Sequence, residues 1–103
     1  MPASADTAMQ LPATATLQQA AQLAAALPAA VAAGSGVMRV DAAALTHFDT
    51  SAIALLMQAR RLAHAAGRSF EVVGAPPKLL ELMQLYGVDG LLPLAPAAGV
   101  SST

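Results

Sequence analysis

Residues 47–57 read H-F-D-T-S-A-I-A-L-L-M, and this stretch joins an acid and two hydroxyl residues to a strongly apolar run. Such residues often precede the first turn of a helix, because their side chains accept hydrogen bonds from its free backbone N–H groups. Thr50 is the expected cap, and the helix dipole favours Asp49 beside it. The stretch therefore predicts a helix from about Ser51 to Ala66 that stops at Gly67.

Further strands and helices are predicted on both sides of this helix. Val37–Ala42 and Ser69–Gly74 are expected to be the strands that flank it directly. The other predicted elements are a short strand at Met9–Leu11, an amphipathic helix that begins after Thr16, is kinked or restarted by Pro28 and ends at Gly34–Gly36, a third helix from Pro76–Pro77 to Gly87, and an edge strand at Leu91–Leu94. Strands that alternate with helices predict right-handed crossovers, a largely parallel sheet and an α/β fold.

The composition limits the classes of protein that this chain can be. It has 103 residues, of which 56% are apolar and 3% aromatic, so it suits one compact domain spanning residues 1–103. Five basic residues spread along the chain and a net charge of −1 form no patch for a phosphate backbone, which disfavours nucleic-acid binding. The absence of cysteine excludes disulfides and thiolate chemistry.

The two ends and the alanine-rich first third indicate where the protein resides. Residues 1–7 and 96–103 are expected to be loose ends. Residues 1–38 contain no Lys or Arg, whereas a secretory signal needs a basic start. The most apolar stretch, Ala20–Ala33, contains Gln22 and Pro28 and is too short to span a bilayer. We therefore expect a cytoplasmic protein without a membrane segment of its own, associated with a membrane only through a partner.

The polar residues do not form a recognisable catalytic, metal or cofactor site. His47, Asp49 and Ser51 are too close in sequence for a catalytic triad, and the serine lacks a nucleophile elbow. His47 and His64 do not have the spacing of metal ligands, and no glycine pattern suits a nucleotide. We expect no enzyme, no cofactor and no metal. A small enzyme or lipid carrier has only the apolar composition in its favour.

The predicted helix over residues 51–66 has two faces on a helical wheel. One arc is assigned to the sheet: Ala52, Leu55, Leu56, Ala59, Leu62, Ala63 and Ala66. The opposite arc is mostly polar, but Ile53 and Met57 lie there in line with Arg60 and His64. These two apolar residues are ordinary surface residues, or residues 17–36 cover them, or they form the apolar centre of a partner interface with cations at its rim.

The segment from Val37 to Leu94 resembles a STAS domain. A strand ending in V-D-A is followed by L-T-H-F-D-T-S-A-I-A-L-L, which is similar to the family's turn and helix start, L-x-x-(I/V/F)-D-S-x-G-(L/I). The segments A-R-R-L-A-H-A-A-G-R, E-V-V-G, P-P-K-L-L-E-L-M-Q-L-Y-G-V and D-G-L-L-P-L follow in the family's order. The resemblance implies a regulatory or binding module with a small mixed, mostly parallel sheet of about four strands and flanking helices.

Two branches of this family imply different roles for the hydroxyl pair. In the MlaB-like branch, the STAS subunit of the Mla phospholipid ABC transporter binds the cytoplasmic, MlaF-like ATPase, and the important threonine matches Thr50. In the anti-sigma factor antagonists, which bind a kinase-like anti-sigma factor, the phosphorylated serine matches Ser51. The chain departs from both patterns, with Ala52 where the family usually has Gly and a serine where MlaB-like members carry Gly.

The short N-terminus and the L-Y-G-V segment favour the transporter branch. The sequence therefore predicts a non-catalytic subunit that binds an ABC transporter ATPase. The residues expected to contact the ATPase are Thr50, Ser51, Ile53, Met57, Arg60 and His64. The alternative is an anti-sigma factor antagonist that is switched by phosphorylation at Ser51.

Overall fold

The computed structural model describes residues 7–34, 36–88, 90–92 and 94–95 of the chain. The elements in chain order are β1 (Thr7–Gln10), β2 (Thr14–Ala15), α1 (Leu17–Ala32), β3 (Val37–Asp41), β4 (His47–Phe48), α2 (Thr50–Ala65), β5 (Ser69–Val73), α3 (Pro77–Leu85) and β6 (Leu94–Ala95). The predicted loose ends lie outside the described residues, except that Thr7 belongs to β1.

The main sheet has four strands in the order β1-β3-β5-β6. Each neighbouring pair is parallel, and β3 pairs with β5 from Val37↔Ser69 to Asp41↔Val73. The predicted α/β fold and the number of strands in this sheet are confirmed. Among the described strands the sheet is parallel throughout rather than mixed, because every connection inside it carries a helix that returns the chain to the same end.

One face of the sheet packs against the helices and the other is partly open. Along β3, Met38 and Val40 are buried while the alternate residues are half-buried, as the two-residue period of a strand requires. On the open face Arg39 lies opposite Glu71, and its Nε contacts Oε2 of Glu71 at 3.2 Å. This half-buried ion pair remains accessible to solvent and adds little stability, so the apolar face of the sheet contributes most of the packing.

A second sheet of two very short strands was not predicted. β2 and β4 pair in parallel, with Thr14 opposite His47 and Ala15 opposite Phe48. The backbone N–H groups of Thr46 and His47 both donate to the carbonyl oxygen of Ala13, at 2.8 and 2.9 Å. Two-residue strands carry no detectable hydrophobic period, so the sequence pattern indicated only a loop here.

The helices agree closely with their predicted positions. α1 is one continuous helix through Pro28, so the predicted restart does not occur. Gly67 ends α2 with a φ of 76°, a left-handed conformation that glycine adopts without steric cost. The α2 residues predicted to face the sheet are buried, except Leu62, which is half-buried, and Ala66, which is exposed at the C-cap. Within the described residues, no helix is long and apolar enough to cross a bilayer.

A buried arginine joins the end of α1 to the start of the sheet. Arg68 is 7% exposed, and its guanidinium donates to four backbone carbonyl oxygens. The acceptors are Ala30 (3.2 Å), Val31 (2.9 Å), Gly36 (3.2 Å) and Val37 (3.2 Å). The last carbonyls of a helix have no intrahelical donor, so the guanidinium supplies the bonds that α1 lacks at its C-terminus.

Replacing this guanidinium is expected to destabilise the fold. Arg68→Ala leaves four carbonyl groups without their donor, so the free energy of unfolding should fall by about 2–4 kcal/mol. Urea unfolding followed by circular dichroism measures the change. The matched control is Arg61→Ala at an exposed position of α2, which should stay within about 0.5 kcal/mol of the parent. Equal losses in the two variants would contradict the structural role of Arg68.

Candidate partner-binding site

The parallel pairing of β2 with β4 sets the starts of two helices side by side. β2 leads through Thr16 into α1, and β4 leads through Asp49 into α2. Ala15 pairs with Phe48, so the residues that follow them in the chain, Thr16 and Asp49, also lie side by side. Both residues have extended backbone and serve as the N-caps of their helices. The two positive helix ends therefore lie next to each other.

Asp49, rather than Thr50, caps α2. Its Oδ1 accepts a hydrogen bond from the backbone N–H of Ser51 at 2.8 Å. That bond is the main cause that lowers the pKa of Asp49 below its usual value of 3.8, and partial desolvation opposes it. The Ser51 hydroxyl and the backbone N–H of Leu17, at the start of α1, lower the pKa further by smaller amounts. The carboxylate therefore caps α2, and the start of α1 lies close enough to contribute to the pKa of Asp49.

Thr16 caps α1 with the help of Gln19. The side-chain oxygen of Gln19 accepts from the backbone N–H of Thr16 at 3.1 Å and from its hydroxyl at 2.6 Å. The predicted position of Thr16 as the N-cap is confirmed. These hydrogen bonds cap the N-terminus of α1 without a charged side chain.

The two hydroxyl residues of the turn have different surroundings. Thr50 is exposed as the first residue of α2, and its hydroxyl makes no hydrogen bond to another described residue. Ser51 is half-buried and lines a groove of about 270 Å³ between α1 and α2. The groove residues are Leu17, Ala20, Ala21 and Ala24 from α1 and Ser51, Ala54, Leu55 and Gln58 from α2. A partner that approaches from solvent therefore meets Thr50 more readily than Ser51.

The predicted stripe along α2 is only partly on the surface. Ile53 is 6% exposed and belongs to the core, so the expectation that it faces solvent is wrong. α2 contacts α1 and α3 as well as β5, which makes its buried arc wider than contact with the sheet alone would require. Met57 is half-buried and packs against the core, Arg60 is half-buried, and His64 is exposed.

The exposed surface of α2 defines a modified candidate site. We call Thr50, Ala54, Met57, Arg61 and His64 the outer face of α2. Thr50, Met57 and His64 follow one another at intervals of seven, and Arg61 lies eleven residues after Thr50, which places all four on nearly the same side of the helix. Arg61 belongs to the mostly polar arc of the helical wheel, but it is not among the residues predicted to contact the partner. Helical-wheel angles measured from Thr50, instead of from Ile53, would have placed Arg61 on this face.

The outer face of α2 presents groups that can bind a partner. It carries an arginine, a histidine and a free hydroxyl around small or half-buried apolar side chains, and it has no acid. Among the described residues, no three His, Asp, Glu or Cys side chains come together as a metal site would need. These groups can donate hydrogen bonds and attract carboxylates of a partner.

Comparisons with known proteins identify the family of the chain. The family model described as "Mlab, STAS domain" matches residues 3–93, and the chain therefore belongs to the STAS domain family. A solved structure with a similar fold is an anti-sigma-factor antagonist (STAS) domain protein from Planctomyces limnophilus. It is 19% identical with a TM-score of 0.73, and the match covers 90% of this chain and 83% of that one. A comparison with curated proteins finds no match.

Because a carboxylate caps α2, the stability of the protein is expected to depend on pH in the acidic range. Because folding lowers the pKa of Asp49, its carboxylate stabilises the protein above the unfolded value of 3.8, and this stabilisation is lost as the pH falls through the folded pKa. Asp49→Asn keeps a good capping group without the charge. Parent and variant should therefore differ in urea midpoint at neutral pH and converge on acidification below 3.8. A difference that does not change with pH would contradict this account.

Proposed function

We propose that the protein is a non-catalytic STAS subunit that binds the cytoplasmic ATPase of an ABC-type phospholipid transport system through the outer face of α2. The exposed position of Thr50 at the start of α2 supports this function most strongly. Because Asp49 caps the helix, the Thr50 hydroxyl is not needed for the cap and remains on the surface. A partner can therefore use it without weakening the start of α2.

The family model supports the transporter branch, since its description is "Mlab, STAS domain". STAS domains are generally regulatory and binding modules, in agreement with an outer face that has no acid–base pair. Arg61 gives this face a positive charge on the same side of the helix as Thr50, which suits a partner surface that presents carboxylates or helix C-terminal carbonyls. Arginine and methionine are both enriched at protein interfaces.

A double substitution on the outer face is expected to break the complex. Thr50→Glu with Arg61→Glu reverses the charge of the face and places two acids where we propose contact. A glutamate in the first turn favours the helix dipole, so the fold should be retained. In co-purification with the ABC ATPase encoded beside the protein, the affinity should fall at least about tenfold.

The matched control places an acid on another exposed helix position. Gln84 is exposed on α3 and is not part of the outer face of α2, so Gln84→Glu should leave co-purification unchanged. Circular dichroism of each variant confirms that the helices remain. An intact complex with the double variant would show that the outer face of α2 is not the site.

A second candidate function rests on Ser51. The Planctomyces limnophilus protein of similar fold is described as an anti-sigma-factor antagonist, and Ser51 follows directly after the Asp-Thr pair. A phosphate on Ser51 would meet the free N–H groups of α2 but would also stand beside the Asp49 carboxylate. Half-burial in the α1–α2 groove restricts the access of a kinase to Ser51. Mass spectrometry after incubation with a cognate kinase and ATP tests it, and an unmodified Ser51 removes this candidate.

A further inference from the structure

The third helix carries an apolar surface that the proposed function does not use. Leu85, near the end of α3, is 76% exposed, and the adjacent Tyr86 is 54% exposed. No other large apolar side chain among those the structure describes is as exposed as Leu85. Exposed apolar groups that cluster beside a hollow commonly mark an interaction surface.

A hollow of about 300 Å³ lies directly beside Leu85. Its lining consists of Phe48, Lys78, Glu81, Leu82 and Leu85. The four α3 residues follow the spacing i, i+3, i+4 and i+7, which places them on one stripe of the helix. The stripe differs from the core side of α3, where Leu79 and Met83 are fully buried. We call these four residues the α3 stripe.

The α3 stripe is complementary to itself. It presents a protruding leucine next to a hollow, and one cation next to one anion, Lys78 and Glu81, on a single face. In an interface with two-fold symmetry, each copy must supply both the group that inserts and the pocket that receives it. The stripe meets that requirement in shape and in charge.

We propose that the α3 stripe binds the α3 stripe of a second copy of this chain, with the two helices antiparallel about a two-fold axis. Leu85 of each copy enters the hollow of the other beside Phe48. Lys78 of each copy pairs with the second copy's Glu81. This contact lies on α3, whereas the outer face of α2 stays free for the transporter partner, so the proposal does not depend on the proposed function.

The small size of the stripe sets the strength of the contact. α3 has only nine residues, so it buries less than the roughly 1,200 Å² that a standard stable interface buries. The dimer is therefore expected to be weak and to depend on concentration. Sedimentation equilibrium of the full chain from about 10 μM to about 1 mM should show a weight-average mass that rises from one chain toward two. A mass that stays at one chain throughout overturns the proposal.

A matched pair of leucine variants tests the location of the contact. Leu85→Glu should remove the rise in mass over the whole range. Leu17→Glu changes a leucine of nearly equal exposure, 74%, at the start of α1, and should leave the dimer unchanged. If both variants abolish association equally, or if only Leu17→Glu does, the α3 stripe is not the interface.

A charge exchange tests the pairing between the two copies. Lys78→Glu alone and Glu81→Lys alone place like charges opposite each other, so each variant should be monomeric at the concentrations where the parent dimerises. Mixing the two variants restores opposite charges in the heterodimer, and the mass should rise again to the parent value. No rise on mixing would overturn the antiparallel pairing, because a defect within each helix is not repaired by the other chain.

Discussion

The parallel pairing of β2 with β4 is the constraint on which the candidate site depends. Four residues in two short strands bring Thr16 and Asp49 to corresponding positions, and both helices begin from there. The pairing is supported by the Ala13 carbonyl oxygen, which accepts from two successive backbone N–H groups. The Asp49 carboxylate then lies where the backbone N–H groups of Ser51 and Leu17 both lower its pKa. The pairing of β2 with β4 therefore determines both the N-cap of α2 and the position of α2 against α1.

The helical layer is also held at its opposite end. The Arg68 guanidinium donates hydrogen bonds to carbonyl oxygens at the end of α1 and to those of Gly36 and Val37 at the start of β3. α1 is therefore fixed to the sheet at the end where its own hydrogen bonds stop. With both ends of α1 restrained, α1 packs along one side of α2, and the sheet and α3 cover further parts of its surface. What remains exposed is a narrow strip that begins at Thr50 and reaches His64. The proposed binding face is the part of α2 that the other described elements cover least.

The sequence pattern predicted the long elements well and the short ones poorly. α2 and β5 have strong periods and clear glycine stops, so their bounds agree with prediction within about two residues. β2 and β4 depend on each other rather than on a local pattern. Asp49 and Thr50 are both good capping residues, so composition alone does not decide which of the two caps the helix. Ile53 is buried because α2 has neighbours on three sides, which is a property of the tertiary structure. The buried role of Arg68 has the same origin, since its four acceptors lie more than thirty residues away in sequence.

The proposed contact with the partner lies on the outer face of α2, where Thr50 is exposed. Titration of the unlabelled ATPase into the isotope-labelled protein, followed by amide NMR, reports which residues meet the partner. We predict that the amides of Thr50, Met57, Arg61 and His64 shift or lose intensity first, while those of the α3 stripe change little. Changes concentrated on α3 or on the open face of the sheet, with α2 unaffected, would contradict it.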